Sequence, residues 1–349
     1  MPRPPKRPLK SRPKKKAASG KKRPGRPRED GIRVRWTGFR PMTDAWGRTL
    51  PRFYKLDSLA SAVDGMIRRQ DKFIVPAVKR VMGPSAITQM HFDLVQEGNH
   101  EFVFRLKANN EKRKETTFAF VAAKREDDMS KLVRTRHQNL RKLHERAPKH
   151  VITPYDGGLI FMPRYKSKLK DKGGRHVYAY LTEWYGQYQE LVVNRKRQFC
   201  AGGKTTPKAF SNEQSEMIRG SILEIIARTY DEAKHDCADV PQVGLGDIVV
   251  TKPKPGARPN VKLVACRRIL TNAKPSKILH RFLASQWDWG GQPLTLAPSA
   301  PETVYDALSN ALGKRQARLW INDYVHDVAK GKFADPKTFP ATALKDLLY

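Results

Sequence analysis

The sequence predicts an α+β protein: a basic tail, a β-rich first half and a mainly helical second half. Three observations carry this. Through residues 87–124 apolar residues alternate with polar ones, the period of a half-buried strand. From residue 211 onward they recur at spacings of three and four, the period of an amphipathic helix. Residues 1–30 show neither period and are rich in Lys, Arg and Pro. The 349 residues hold 68 Lys+Arg against 34 Asp+Glu, a net charge of +34 with histidine neutral. With 39% hydrophobic residues and 23 glycines, most of the chain can bury a core. At about 150 residues per domain, the length allows one large domain or two small ones, plus tails.

Residues 1–40 hold 16 Lys/Arg against two acids, Glu29 and Asp30, and so account for +14 of the +34, leaving +20 on the rest. Such a segment cannot bury enough surface to offset its chain entropy and reads as a disordered basic arm. A mobile cationic arm selects a polyanion, DNA before RNA. A membrane surface asks for apolar anchors beside the charge, which residues 1–30 lack. Lys14, Lys15, Lys16, Lys21, Lys22, Arg23, Arg26 and Arg28 are the candidate phosphate contacts. Lys21-Lys22-Arg23-Pro24-Gly25-Arg26-Pro27-Arg28 resembles an AT-hook, with Pro24 where that motif usually has an arginine. An extended Gly-Arg-Pro is thin enough for a narrow minor groove, where its arginine meets enhanced negative potential. The same residues also read as a solvated basic linker or a nuclear-import-like patch.

Residues 41–86 read as a linker strap with short helices. Trp36, Phe39, Trp46 and Phe53 could stack on bases; packing on the body is the preferred reading. Asp57 or Ser58 caps a helix carrying Leu59, Val63, Met66 and Ile67. A second apolar piece runs from Phe73 through Val78 to Val81 and stops at Gly83-Pro84. Residues 87–185 form a small β-rich lobe. Met90, Phe92 and Leu94 alternate, Glu97-Gly98-Asn99 turns, and Phe102, Phe104 and Leu106 alternate again: a β-hairpin. Thr117–Lys124 is a third strand with a lysine at its end. A helix follows from Asp127 or Asp128, with Met129, Val133, Leu140 and Leu143 on one stripe. Val151-Ile152, Leu159–Met162 and Val177–Leu181 are further strands.

Residues 186–349 read as the mainly helical large lobe. Ser211-Asn212-Glu213-Gln214 is a capping box, opening a helix with Ile218, Ile222, Ile225 and Ile226. Ile248–Val250 and Val261–Val264 are short strands joined by the basic loop Thr251–Asn260. Pro301 starts a helix through Val304, Leu308 and Leu312, which Gly313 stops. Another helix carries Ala317, Trp320, Ile321, Val325 and Val328.

Strand, strand, strand, helix, further strands and then a helical half resembles the protein-kinase-like fold. The branch is that of the aminoglycoside and choline phosphotransferases and the lipopolysaccharide-kinase-like proteins. The resemblance spans about residues 87–270. It implies a two-lobed architecture, with the hinge near Leu181-Thr182-Glu183-Trp184. Val121-Ala122-Ala123-Lys124 is similar to the Val-Ala-Ile-Lys strand, which makes Lys124 the nucleotide-phosphate candidate. The rest of the machinery is degenerate. The helix places Arg136 or His137 where the family has a glutamate, and a cation there would repel Lys124. Only Gly98 marks the hairpin turn, so there is no glycine-rich loop. Gly244-Leu245-Gly246-Asp247 stands where the catalytic segment would be. With Asp247 as base, the asparagine position is Lys252; with Asp247 as metal ligand, the base position is Gln242. Ala265-Cys266-Arg267-Arg268 occupies the place of the second metal aspartate, so magnesium has few oxygen ligands. Asp247 is the one catalytic candidate; His235, Asp236 and Asp239 are possible substitutes in a rearranged site.

Other chemistries are excluded by absent patterns. There is no HExxH and no paired-cysteine spacing, and no GxSxG, P-loop or GxGxxG. The three cysteines, Cys200, Cys237 and Cys266, are too few and too scattered for a disulfide framework, which implies a reducing, intracellular setting, cytoplasm, nucleoid or nucleus. Arg267 and Arg268 could activate Cys266, though a buried small residue is the simpler reading. Trp287–Gly291 is a stacking platform or a packed corner. The clusters Lys166–Lys172 and Lys252–Arg258 extend a polyanion footprint. No apolar run reaches the roughly 18 residues of a membrane span. The expectation is a nucleic-acid-binding pseudokinase with no cofactor and no metal site. The alternatives are an active phosphotransferase using ATP and magnesium, and a structural or packaging component of a nucleoprotein assembly.

Overall fold

Alternation in the first half produces one six-stranded sheet. The structure, a computed structural model, describes residues 31–40, 52, 54–70, 73–126, 128–162, 175–194, 196–202, 208–239, 247–252, 254, 256–284, 286–289, 292–295, 299–333 and 341–348. Outside the described residues lie Lys14, Lys15, Lys16, Lys21, Lys22, Arg23, Arg26 and Arg28 of the arm, Trp46, Phe53, the Lys166–Lys172 cluster and Gln242.

Strand β1 (Arg33–Thr37) runs parallel to β2 (Ile87–Glu97), so the chain joins the sheet within the segment expected to be arm. Trp36 stacks on Phe92 at 4.1 Å between ring centroids and meets Phe104 edge-on at 5.4 Å. Packing, not base stacking, accounts for this aromatic. Helices α1 (Leu56–Arg68) and α2 (Ile74–Met82) follow as the apolar spacing predicts, but Asp57 and Ser58 lie inside α1 rather than capping it: Lys55 is its N-cap, with no side-chain cap. Then come β2, β3 (Glu101–Asn110), β4 (Glu115–Ala123), helix α3 (Asp128–Arg146), β5 (Pro154–Met162) and β6 (Arg175–Glu183). The sheet order is β1-β2-β3-β4-β6-β5, antiparallel throughout except at β1–β2.

Register assigns the two faces. Leu94, Phe104, Phe120 and Leu181 sit opposite one another across four strands and are all buried. This face lies under α1 and α2. Gly158, opposite Ala179, belongs to it, and a Cβ there would come within 2.8 Å of Phe73. The intervening residues Val103, Ala119, Val121, Tyr178 and Tyr180 point the other way, because strand side chains alternate. That second face carries α3: the His137 ring stacks on Tyr180 at 4.7 Å, and its Nδ1 lies 2.9 Å from the Tyr178 hydroxyl.

The second half contains more strand than its sequence suggests. β7 (Tyr188–Val193), β8 (Phe199–Ala201), β9 (Lys208–Ala209), β11 (Ile248–Thr251) and β12 (Val261–Leu263) form an antiparallel sheet in the order β12-β11-β7-β8-β9. β10 (Cys237–Ala238) pairs with β13 (Ile269–Leu270), and β14 (Gln286–Trp289) with β15 (Gln292–Thr295). Trp287-Asp288-Trp289 is therefore strand. β7 has six residues but buries only Leu191 and Val193, and the other pieces have two to four residues, so none displays a sustained period; of these strands only β11 and β12 were expected. Helix α4 (Asn212–Arg228) opens with the reciprocal cap: Ser211 Oγ accepts from the Gln214 N–H at 3.1 Å, and Gln214 Oε1 from the Ser211 N–H at 3.3 Å. It packs on α6 (Pro301–Leu312), and α7 (Lys314–Ala329) packs on α6, α5 (Pro275–Leu283) and α8 (Ala341–Asp346). Gly313, at φ 82°, makes the break between α6 and α7 in a conformation that favours glycine.

Helix α3 and the loop after it bind the halves together. The Ile152 N–H donates to the Leu263 carbonyl at 2.9 Å, and Asn139 Nδ2 donates to the Cys266 carbonyl at 3.0 Å. Arg146 donates to Asp231, Asp236 and the Thr229 carbonyl, and Lys142 donates to Asp236. Among the described residues no helix is long and apolar enough to cross a membrane.

Candidate ligand-binding cleft

A cleft of about 230 Å³ lies between the α3 face of the large sheet and the β7–β11–β12 ribbon. Alternation supplies its upper wall: Glu101 and Val103 of β3, Ala119 and Val121 of β4, Tyr180 and Thr182 of β6. The connection out of β6 adds Glu183, Trp184 and Tyr185. Tyr188 and Glu190 of β7, Asp247, and Val249 and Val264 complete it.

Asp247 is the sequence candidate that reaches this cleft. Its backbone carbonyl accepts from the Val264 and Ala265 N–H groups at 2.9 and 3.2 Å, which locks it at the head of β11. Its side chain is only 5% exposed, and Arg267 Nε stands 3.3 Å from Oδ2. Among the described residues no donor completes a hydrogen bond to that oxygen. Burial raises the carboxyl to about 7; Arg267 and Arg136 pull it down, Glu101 and Glu190 push it up. Glu190 is also raised by burial, with Arg267 opposing. Glu183 is fixed by hydroxyl groups: Thr153 and Tyr185 donate to its Oε2 at 2.8 and 2.9 Å.

Lys124 does not join them. It follows β4 on the α1–α2 side, fully buried, with Nζ 3.0 Å from Glu97 Oε1 and 5.2 Å from the Phe102 ring centroid. Arg52 holds the same carboxylate, at 2.7 Å. Burial lowers the Lys124 ammonium from its ordinary range, while Glu97 opposes the shift. Burial also works to raise Glu97, but the hydrogen bonds from Arg52 and Lys124 prevail and hold it low. Val121, not Lys124, is the β4 residue next to Ala119 on the cleft face. The expected repulsion between Lys124 and the helix is absent, because Arg136 is paired with Glu101 and His137 lies on Tyr180.

The other candidates serve elsewhere. Asp236 is clasped by Lys142 and Arg146. Asp239, fully buried, lies 3.0 Å from Arg281 and 3.6 Å from Arg268. His235 Nδ1 lies 2.8 Å from the Tyr230 hydroxyl. Cys200, Cys237 and Cys266 are buried free thiols, and burial pushes Cys266 up to about 12, away from reactivity. Sequence reasoning missed Glu101 and Glu190. Glu101 was legible as the residue out of phase with Phe102 and Phe104. Glu190 depended on recognising β7.

The cleft thus offers four carboxylates and several aromatic rings, and no lysine or arginine lines it among the described residues. A nucleoside triphosphate with magnesium does not fit these residues: among the described residues no lysine or arginine lines the cleft to meet the phosphates, and no three of its carboxylates converge on one metal-sized position. The sequence matches no protein-family model, and no curated protein matches it significantly.

Proposed function

We propose that this protein is a nucleic-acid-associated binding protein whose body is a degenerate, two-lobed kinase-like domain without phosphotransfer. The observation that carries the reading is the division of charge. A chain of +34 keeps its cations off the cleft walls, which are acidic, while residues 1–40 supply +14. Cations on an extended arm and on the body surface neutralise phosphates and release counterions, with little sequence preference. The antiparallel strands with one helix inserted between β4 and β5, followed by a cleft and a helical half, support the kinase-like architecture. The arm contacts are Lys14, Lys15, Lys16, Lys21, Lys22, Arg23, Arg26 and Arg28.

Fluorescence anisotropy of a labelled duplex over a salt series tests this. Binding of the full chain to DNA is expected to weaken steeply and linearly on a log–log plot. Absent binding at low salt, or affinity indifferent to salt, sinks the reading. One observation favours the second reading, an active phosphotransferase: Asp247 is buried at the cleft. A magnesium-dependent thermal shift with ATP that Asp247→Ala abolishes, together with transfer of the γ-phosphate, would favour it over the first.

A further inference from the structure

The cleft gathers more carboxyl groups than it has cations to pair with them, and burial raises two of them, Asp247 and Glu190, so a ligand cation would favour their ionised form. Glu101 has Arg136, and Asp247 has the half-exposed Arg267. Glu183 and Glu190 have no cation within salt-bridge distance among the described residues. Glu183 takes only hydroxyl donors, and Glu190 takes the Gln96 amide at 3.4 Å. Lys262 approaches the rim, 5.7 Å above the Tyr185 ring, but its ammonium donates to the Lys149 carbonyl. Asp247 Oδ2, 3.3 Å from Arg267 Nε, is a buried acceptor without a hydrogen bond among the described residues, on a side chain nine-tenths buried that lines the cavity.

Three constraints select the ligand. The net charge required is positive. The positive charge must be spread out, because among the described residues no three carboxylate, histidine or cysteine groups converge on one metal-sized position. The charges must be linked by apolar carbon, because Trp184, Tyr185 and Tyr188 line the same cleft as the acids, and aromatic faces attract both ammonium groups and methylenes. At about 230 Å³ the space is below the roughly 300–1,000 Å³ of drug-sized sites, so the ligand is small. We propose that the cleft binds a small linear polyamine, its ammonium groups paired with Glu183, Glu190 and Asp247 and its methylenes lying on Trp184, Tyr185 and Tyr188.

This site is independent of nucleic-acid binding by the arm, and the two are separable by experiment. Spermidine is the probe, titrated into the full-length protein by isothermal calorimetry. A chain of +34 repels a polycation everywhere except at a compensating site, so nonspecific background is low. Saturable binding at one site is expected, weakened roughly tenfold or more by Glu190→Gln and by Asp247→Asn, with DNA affinity unchanged. Thermal melts of both variants report whether they fold; Glu190→Gln keeps shape and the Gln96 contact. No saturable heat in the wild-type protein overturns the proposal. So does spermidine binding that both folded variants leave intact, or equal competition by magnesium ion, which would make the site a metal centre.

Discussion

Asp247 and Lys124 are ordinary acidic and basic residues in the sequence, and each is changed by where the fold puts it. Burial pushes the Asp247 carboxyl up to about 7 in the folded protein, from an ordinary aspartate value near 3.8. Between those values the folded chain holds a proton that the unfolded chain has released. Stability therefore falls as pH rises from about 4 to about 7 and levels off above. Asp247→Asn is expected to flatten that slope and to stabilise the protein above neutrality by up to about 4 kcal/mol. Urea unfolding across this range checks it; an unaltered slope would mean another group is responsible. Lys124, directly after β4, is a structural residue that ties that strand end to the β2–β3 turn through Glu97 and the His100 carbonyl. Lys124→Met keeps the stem but leaves Glu97 to Arg52 alone, and should cost about 2 kcal/mol of stability in urea unfolding. The same variant leaves spermidine and DNA binding unchanged. Loss of cleft binding without loss of stability would return Lys124 to a ligand-binding role. The chemistry of these side chains was legible in sequence, but the direction in which each points was not. One step of strand phase separates Val121, facing the cleft, from the buried side that Lys124 shares with Phe102.

At the scale of elements, α3 does two things that its amphipathic stripe does not announce. Its apolar residues pack on the sheet as expected. Its polar residues Arg136, Asn139, Lys142 and Arg146 reach Glu101, the Cys266 carbonyl and the acids Asp231 and Asp236. Arg146 is the central clasp, with its guanidinium 84% shielded from solvent. Arg146→Ala should destabilise the protein by about 2–3 kcal/mol and speed hydrogen exchange across residues 229–238. Burial acts to raise Asp236, but Lys142 and Arg146 outweigh it and hold it below the usual carboxylate range. The stability this supplies is present above about pH 4 and disappears as pH falls through the lowered value. The difference between wild type and Arg146→Ala should therefore shrink in acid; a constant difference would assign the effect to packing. The helices α1, α2, α4, α6 and α7 and the hairpin β2–β3 were readable because each is long enough to repeat its period; a capping box opens α4, and glycines end α2 and α6. β8 to β10 were not, because a strand of two or three residues is specified by its partner rather than by its own pattern, and the six residues of β7 bury only Leu191 and Val193, too few to show a period.

For the whole molecule, charge is partitioned more sharply than composition reveals. The excess of Lys and Arg is general, yet four carboxylates gather at one cleft without a lining cation. If the arm is the main phosphate contact, replacing Lys14, Lys15, Lys16, Lys21, Lys22, Arg23, Arg26 and Arg28 with glutamine lowers the log–log salt slope of DNA binding by up to about 7. A slope left as it was would move the footprint to the +20 of residues 41–349.

Composition and periodicity determined the cationic tail, the α+β class, the hairpin, the capped helices and the absence of common catalytic motifs. Each of these is a local or additive property of the chain. The tertiary structure decided that Asp247 meets Glu101, Glu183 and Glu190 around aromatic rings while Lys124 turns to Glu97. That outcome rests on strand phase and on pairing between residues far apart in the chain, which no local pattern encodes.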